Sequence, residues 1–160
     1  MGTRSRIGLA LGPDQIVSVY CHYDGYIQFT GRKLVEHYNT KEQVEELIDG
    51  GDMSIIYTRQ TWESGKMLRD ESGECIISDK NGNIRYKNDR EPQPLYYSER
   101  GEDCPPKVSN FKEFLSGDCG EEWCYLFTPG SGWQAWKLNW GEKTQEYDFV
   151  TEEPALLMTV

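Results

Sequence analysis

The chain has no long apolar run. Nothing in it approaches the ~20 consecutive apolar residues that a membrane-spanning helix requires, so no membrane partner is expected. The opening MGTRSRIGLALG has too short an apolar stretch for an export signal, and no small-residue cleavage site follows it. Arg6 stands where a myristoylation signal beginning at Gly2 would carry Ser or Thr. Histidine is scarce, with only His22 and His37, so a histidine-based catalytic constellation has few possible members. There is no CxxC, and the x4 spacing of Cys119 and Cys124 is a poor knuckle for tetrahedral zinc. Glycine-rich phosphate loops, GxSxG and HExxH are also missing. Neither a cofactor nor a metal site is therefore expected, and no catalytic residue is assigned.

Positive charge is in short supply: 17 Lys and Arg stand against 27 Asp and Glu, a net charge of −10. The deficit is steepest in residues 111–160, with three basic and nine acidic groups. Such a chain repels phosphates as a whole, which disfavours direct nucleic-acid binding. A local basic pocket remains compatible with that charge, as does an acidic surface that covers a basic protein. The five cysteines, with no export signal, point to reduced thiols in a cytoplasm.

Aromatic residues are plentiful, with five Trp, ten Tyr and five Phe, and 160 residues suit one domain with a real core. Arg6 to Leu11 alternates, with Ile7, Leu9 and Leu11 on one face and Gly8 and Ala10 on the other. Gly12-Pro13-Asp14 is a turn, and Ile16 to Tyr23 is a second strand that pairs antiparallel with the first. Leu34, Val35 and Tyr38 have helical spacing. Thr40 to Gln43 matches a capping box for an amphipathic helix over 41–49, which Gly50-Gly51 ends. Met53 to Tyr57 reads as a short buried strand, and Leu95 to Ser98 as another.

Residues 60–95 read as a polar insertion whose 74–88 stretch is a hairpin with Asn81-Gly82 at its turn. Asn110 and Glu113 cap a short helix that carries Phe111, Phe114 and Leu115 inward. EEWCYLF and WQAWKLNW form a hairpin through Thr128-Pro-Gly-Ser-Gly132. Residues 142–160 form an acidic tail whose apolar patch, Ala155 to Val160, suits an edge strand. Hairpins dominate and no βαβ repeat occurs. The expected class is α+β: a mainly antiparallel sheet with two to three helices on one face. An exposed strand at a sheet edge would allow a homo-oligomer.

The most concentrated chemistry is Tyr20-Cys21-His22-Tyr23-Asp24-Gly25-Tyr26. Alternation puts Cys21 and Tyr23 with the core-facing Val17 and Val19. Tyr20, His22 and Asp24 go to the polar face, leading into a glycine turn. Cys21 and His22 therefore cannot act as a nucleophile–base pair. Cys21 reads as a small buried hydrophobe, and Asp24 is placed to orient the His22 imidazole. His37 reads as a helix-surface or packing residue. Tyr20, His22, Asp24 and Tyr26, joined by Arg59 and Arg100, form the candidate ligand-binding set, because aromatic faces stack on bases and guanidinium forks grip phosphates.

This segment, together with Leu34-Val-Glu-His-Tyr38, Val44-Glu-Glu-Leu-Ile48 with Gly51-Asp-Met-Ser54, Tyr97-Ser-Glu-Arg-Gly-Glu-Asp103 and Tyr125-Leu-Phe127, resembles a family of small proteins encoded by bacteriophages and prophages. The resemblance covers residues 1–55 and two later patches. It implies an accessory, counter-defence role in the cytoplasm of a host cell and supplies no catalytic mechanism. Three functions follow as expectations. The first is sequestration of a nucleotide-derived small molecule. The second is occlusion of a host defence protein by the acidic surface. The third is a small hydrolase or transferase using the His22/Asp24 region.

Overall fold

The computed structural model describes residues 3–57, 68–69, 75–78, 84–86, 93–138, 144–147 and 149. Strands β1 (Ser5–Gly12) and β2 (Gln15–Cys21) form the expected hairpin, with Ile7 opposite Val19 and Leu9 opposite Val17. Helices α1 (Arg32–His37) and α2 (Lys41–Asp49) follow, then β3 (Met53–Tyr57). The small strands β4 (Leu68–Arg69), β5 (Cys75–Ser78) and β6 (Ile84–Tyr86) form a separate three-stranded sheet. The antiparallel β5–β6 pair is the hairpin expected in the polar region, and its turn lies outside the described residues. The chain continues with β7 (Gln93–Tyr96), β8 (Lys107–Ser109), α3 (Phe111–Phe114), β9 (Trp123–Thr128), β10 (Gly132–Lys137) and β11 (Gln145–Tyr147).

The main sheet runs β11-β10-β9-β1-β2-β3-β7, and β8 also pairs with β2. Most pairings are antiparallel, but β1–β9 and β2–β3 are parallel. This is a mixed sheet with helices, the expected α+β class. On one face, Ile7, Leu9, Val19, Cys21, Trp123, Tyr125 and Phe127 pack against Leu34 of α1 and Val44, Leu47 and Ile48 of α2. On the other, Ile16, Cys124, Leu126, Trp136 and Leu138 pack against Phe114 of α3. Two helices thus share a face and the third covers the opposite one. The reason is local: β9 and β10 are apolar on both sides, so both sides need a cover.

Both capping boxes form. Thr40 Oγ1 accepts from Gln43 N at 3.1 Å, and Asn110 Oδ1 accepts from Glu113 N at 2.8 Å. The C-terminus of α2 is held by the Tyr96 hydroxyl, which donates to Leu47 O at 2.7 Å.

Several boundaries differ from expectation. β2 stops at Cys21, so alternation does not carry on to Tyr23, which is 46% exposed rather than core-facing. β7 ends at Tyr96, and Tyr97–Arg100 is a 3-10 turn closed by Gly101 at φ 83°. Phe111 is exposed and lies edge-on to Trp136, while Phe114 is fully buried. The tail's edge strand is Gln145–Tyr147; Ala155 to Val160 lie outside the described residues.

Gly25 marks the closest backbone approach. Its N–H donates to Thr3 O at 2.8 Å, its carbonyl accepts from the buried Tyr125 hydroxyl at 2.6 Å, and a Cβ there would lie 2.6 Å from Ser5. Two of the colliding atoms belong to Ser5, which is fully buried, and the third is backbone, so none can swing away. Gly25→Ala is expected to destabilise the fold by about 1–3 kcal/mol, read as a lower midpoint in chemical denaturation. An unchanged midpoint would contradict this packing.

Candidate functional site

The end of β2 separates Tyr20 from Cys21 as alternation demands, but the pattern stops there and leaves Tyr23 exposed. Cys21 is fully buried. Burial pushes its thiol up to about 12, so the sulfur is inert at neutral pH. Tyr20 and His22 leave the opposite side, and the Tyr20 hydroxyl lies 2.7 Å from His22 Nδ1. Tyr23 packs edge-on against the imidazole at 4.5 Å. The orienting partner of His22 is thus Tyr20. Among the described residues no hydrogen bond or ion pair joins His22 to Asp24. Asp24 instead takes a positive φ of 53° and offers its carbonyl to Thr30 Oγ1 at 2.7 Å. Its role is to turn the chain from strand to helix.

Desolvation lowers the His22 pKa, and the positive charge of Arg4 lowers it further. Desolvation also drives Tyr20 up to about 12, with Arg4 pulling the other way. Arg4 is therefore an electrostatic neighbour of the pair that sequence reading missed. Tyr97 is another, because ionisation of its phenol would oppose that of Tyr20. Arg100 lies over the Tyr97 ring at 4.7 Å and faces Glu102 at 3.5 Å. Arg59 lies outside the described residues.

Beneath Tyr20 sits a buried ion pair. Arg6 Nε meets Glu121 Oε2 at 2.7 Å, and the two residues are 7% and 2% exposed. Arg6 also donates to Ser18 Oγ at 3.0 Å, while Glu121 Oε1 accepts from Cys119 N at 2.7 Å. Burial opposes the Arg6 charge, but the Glu121 hydrogen bond and carboxylate more than offset it, so its pKa is raised. Asp52 completes the group by accepting from Tyr20 N at 2.8 Å. That bond fills the gap on the β2 edge between β8, paired through Ser18, and β3, paired at Cys21. Burial raises the Asp52 pKa, partly offset by the Tyr20 N–H and by Arg6.

Tyr26 goes elsewhere. It is 36% exposed and lines a groove of about 400 Å³ with Trp123, Tyr147, Lys137, Glu122 and Gln28. Trp123 and Tyr147 meet edge-on at 4.8 Å, and Lys137 Nζ lies 5.7 Å from the Trp123 ring centroid. The groove therefore has aromatic walls, one cation and one carboxylate. Comparison with protein-family models, with curated proteins and with solved structures finds no match. Among the described residues no three His, Cys, Asp or Glu side chains converge as a metal site would require, and no helix is long and apolar enough to cross a membrane.

The five candidate residues that are described thus fall in different places. Tyr20 and His22 touch, Asp24 shapes the turn, Tyr26 belongs to the groove, and Arg100 belongs to the Tyr97 turn. Trp123, Lys137 and Tyr147 come from strands far along the chain. No spacing rule in the sequence joins them to Tyr26.

The His22 pKa is lowered in the folded state, so the unfolded chain binds more protons just below the ordinary value of 6.5. Stability therefore rises with pH across that window and is lost as pH falls through it. Arg4→Gln is expected to move the imidazole pKa upward, toward 6.5, in an NMR titration. A pKa that stays put or falls would show that Arg4 does not act on this ring.

Proposed function

We propose that the chain acts by binding, and that its ligand is a nucleotide-type small molecule held in the groove beside Tyr26. The observation that carries this is the pairing of aromatic walls with a cation in one cavity of about 400 Å³, within the ~300–1,000 Å³ range of small-molecule sites. Tyr26 and Tyr147 offer ring surface for a base above the largely buried Trp123, and stacking on an aromatic side chain contributes about 1–3 kcal/mol per base. Lys137 supplies the charge for a phosphate. Glu122, on the same rim, suits the exocyclic amino group of a base, which needs an acceptor. A net charge of −10 keeps polyanionic nucleic acid away while leaving this local arrangement open to a small ligand. The likeness to phage proteins adds the setting: a host-cell cytoplasm, where such a pocket would withhold a nucleotide signal from a defence effector.

The test is calorimetric titration of the purified chain with a panel of mono-, di- and cyclic nucleotides. At least one should bind. Tyr26→Ala should weaken it about 5- to 100-fold, with little change in melting temperature because the ring is at the surface. Lys137→Gln should weaken phosphate-bearing ligands more than the parent nucleoside. No heat with any nucleotide, alongside salt-sensitive capture of a single basic host protein, would replace this account with occlusion by the acidic surface.

A further inference from the structure

Glu122 sets its carboxylate on the rim of the groove from a fixed backbone. Its N–H donates to Arg4 O at 2.8 Å, and its carbonyl accepts from Leu138 N at 2.8 Å. It stands immediately before β9, whose Trp123 pairs with Lys137 of β10. The Tyr26 side of the groove is held as firmly. The Tyr26 carbonyl accepts from the N–H groups of Phe29 and Thr30, both at 3.1 Å, and so closes the π-helical turn Ile27–Gly31 that carries Gln28. Glu122, Gln28 and Tyr26 are all exposed, and all line the same cavity of about 400 Å³. The rim thus presents a carboxylate and an amide from two fixed segments, and little backbone ordering is required when a ligand enters.

A carboxylate has two acceptor oxygens and no donor. It matches two adjacent donors in one plane, and it repels an acceptor. The pairing edges of the bases differ in this respect. Guanine presents N1–H and the 2-amino group side by side. Adenine presents its 6-amino group beside the bare N1, and cytosine its 4-amino group beside the bare N3. Uracil has a single N3–H between two carbonyl oxygens. On any of those three, the second carboxylate oxygen meets a lone pair. Guanine alone satisfies both oxygens, and its O6, next along the same edge, is an acceptor that suits the Gln28 amide N–H.

We infer that the groove selects guanine nucleotides, with Glu122 reading N1–H and the 2-amino group while Lys137 meets the phosphate. This rests on the groove being a nucleotide site. It adds which base the site takes and which residue decides.

The test is calorimetric titration of the full chain with guanosine, inosine and adenosine monophosphates at one ionic strength. Inosine monophosphate keeps N1–H and O6 and lacks only the 2-amino group. Guanosine monophosphate should bind at least about 10-fold more tightly than either, because each comparison removes a hydrogen bond to a charged group. Glu122→Gln exchanges an acceptor oxygen for a donor, and should cut the guanosine-to-adenosine affinity ratio by about 10-fold or more. The inosine comparison needs no variant, so it stands whatever that substitution does to folding. Inosine or adenosine monophosphate binding as tightly as guanosine monophosphate, or a guanine preference that survives Glu122→Gln, would overturn the guanine assignment and leave the nucleotide reading in place. Failure of every nucleotide to bind would overturn both.

Discussion

Strand β1 is hydrogen-bonded along both edges, antiparallel to β2 and parallel to β9. The second pairing brings Ser5 opposite Trp123 and Leu9 opposite Phe127, across most of the chain. The Arg6–Glu121 pair lies under this junction and ties the same two segments together. Removing one partner of such a pair leaves an uncompensated buried charge and costs about 3–5 kcal/mol. The sites depend on this seam. It sets Trp123 and Glu122 beside Tyr26, and it sets Arg4 beside Tyr20 and His22. The Tyr125 hydroxyl, reaching Gly25 O from β9, fastens the turn that separates the two groups.

Much of the local structure was legible because its causes are local. Thr40/Gln43 and Asn110/Glu113 satisfy helix-end donors within four residues, so the pattern announces the helix. Alternation over Arg6–Leu11 and through Ile16–Cys21, with Pro13-Asp14 between, leaves little choice but a hairpin. The parallel β1–β9 pairing was not legible. Nothing in IGLAL says which of several apolar strands will take its second edge, since strand sequences carry no register over a hundred residues. Arg6 was hidden for the same reason. An arginine among Gly8 and Ala10 on the second face reads as solvated until Glu121 is brought to it. The groove draws on Tyr26, β9, β10 and β11, and only the assembled sheet puts them in one place.

The YCHYDGY segment changes meaning once the strand end is located. It holds a structural thiol, a hydrogen-bonded Tyr20–His22 pair, an exposed Tyr23, a turn made by Asp24 and Gly25, and one groove residue, Tyr26. Its density of reactive side chains comes from several jobs meeting where a strand becomes a helix. The expectation that Asp24 orients the imidazole failed because Asp24 is spent on the turn, with φ 53° and its carbonyl held by Thr30. Arg4, three residues from the start of the chain, proved the more important charge near His22.

Ligand recognition is proposed for the groove rather than for the Tyr20–His22 edge. Chemical-shift mapping decides between them most directly. On titration with a nucleotide that binds, perturbations should concentrate on Tyr26, the Trp123 indole N–H, Lys137 and Tyr147. Perturbations centred on Tyr20, His22, Tyr97 and Arg100, with the Trp123 indole unmoved, would contradict the account.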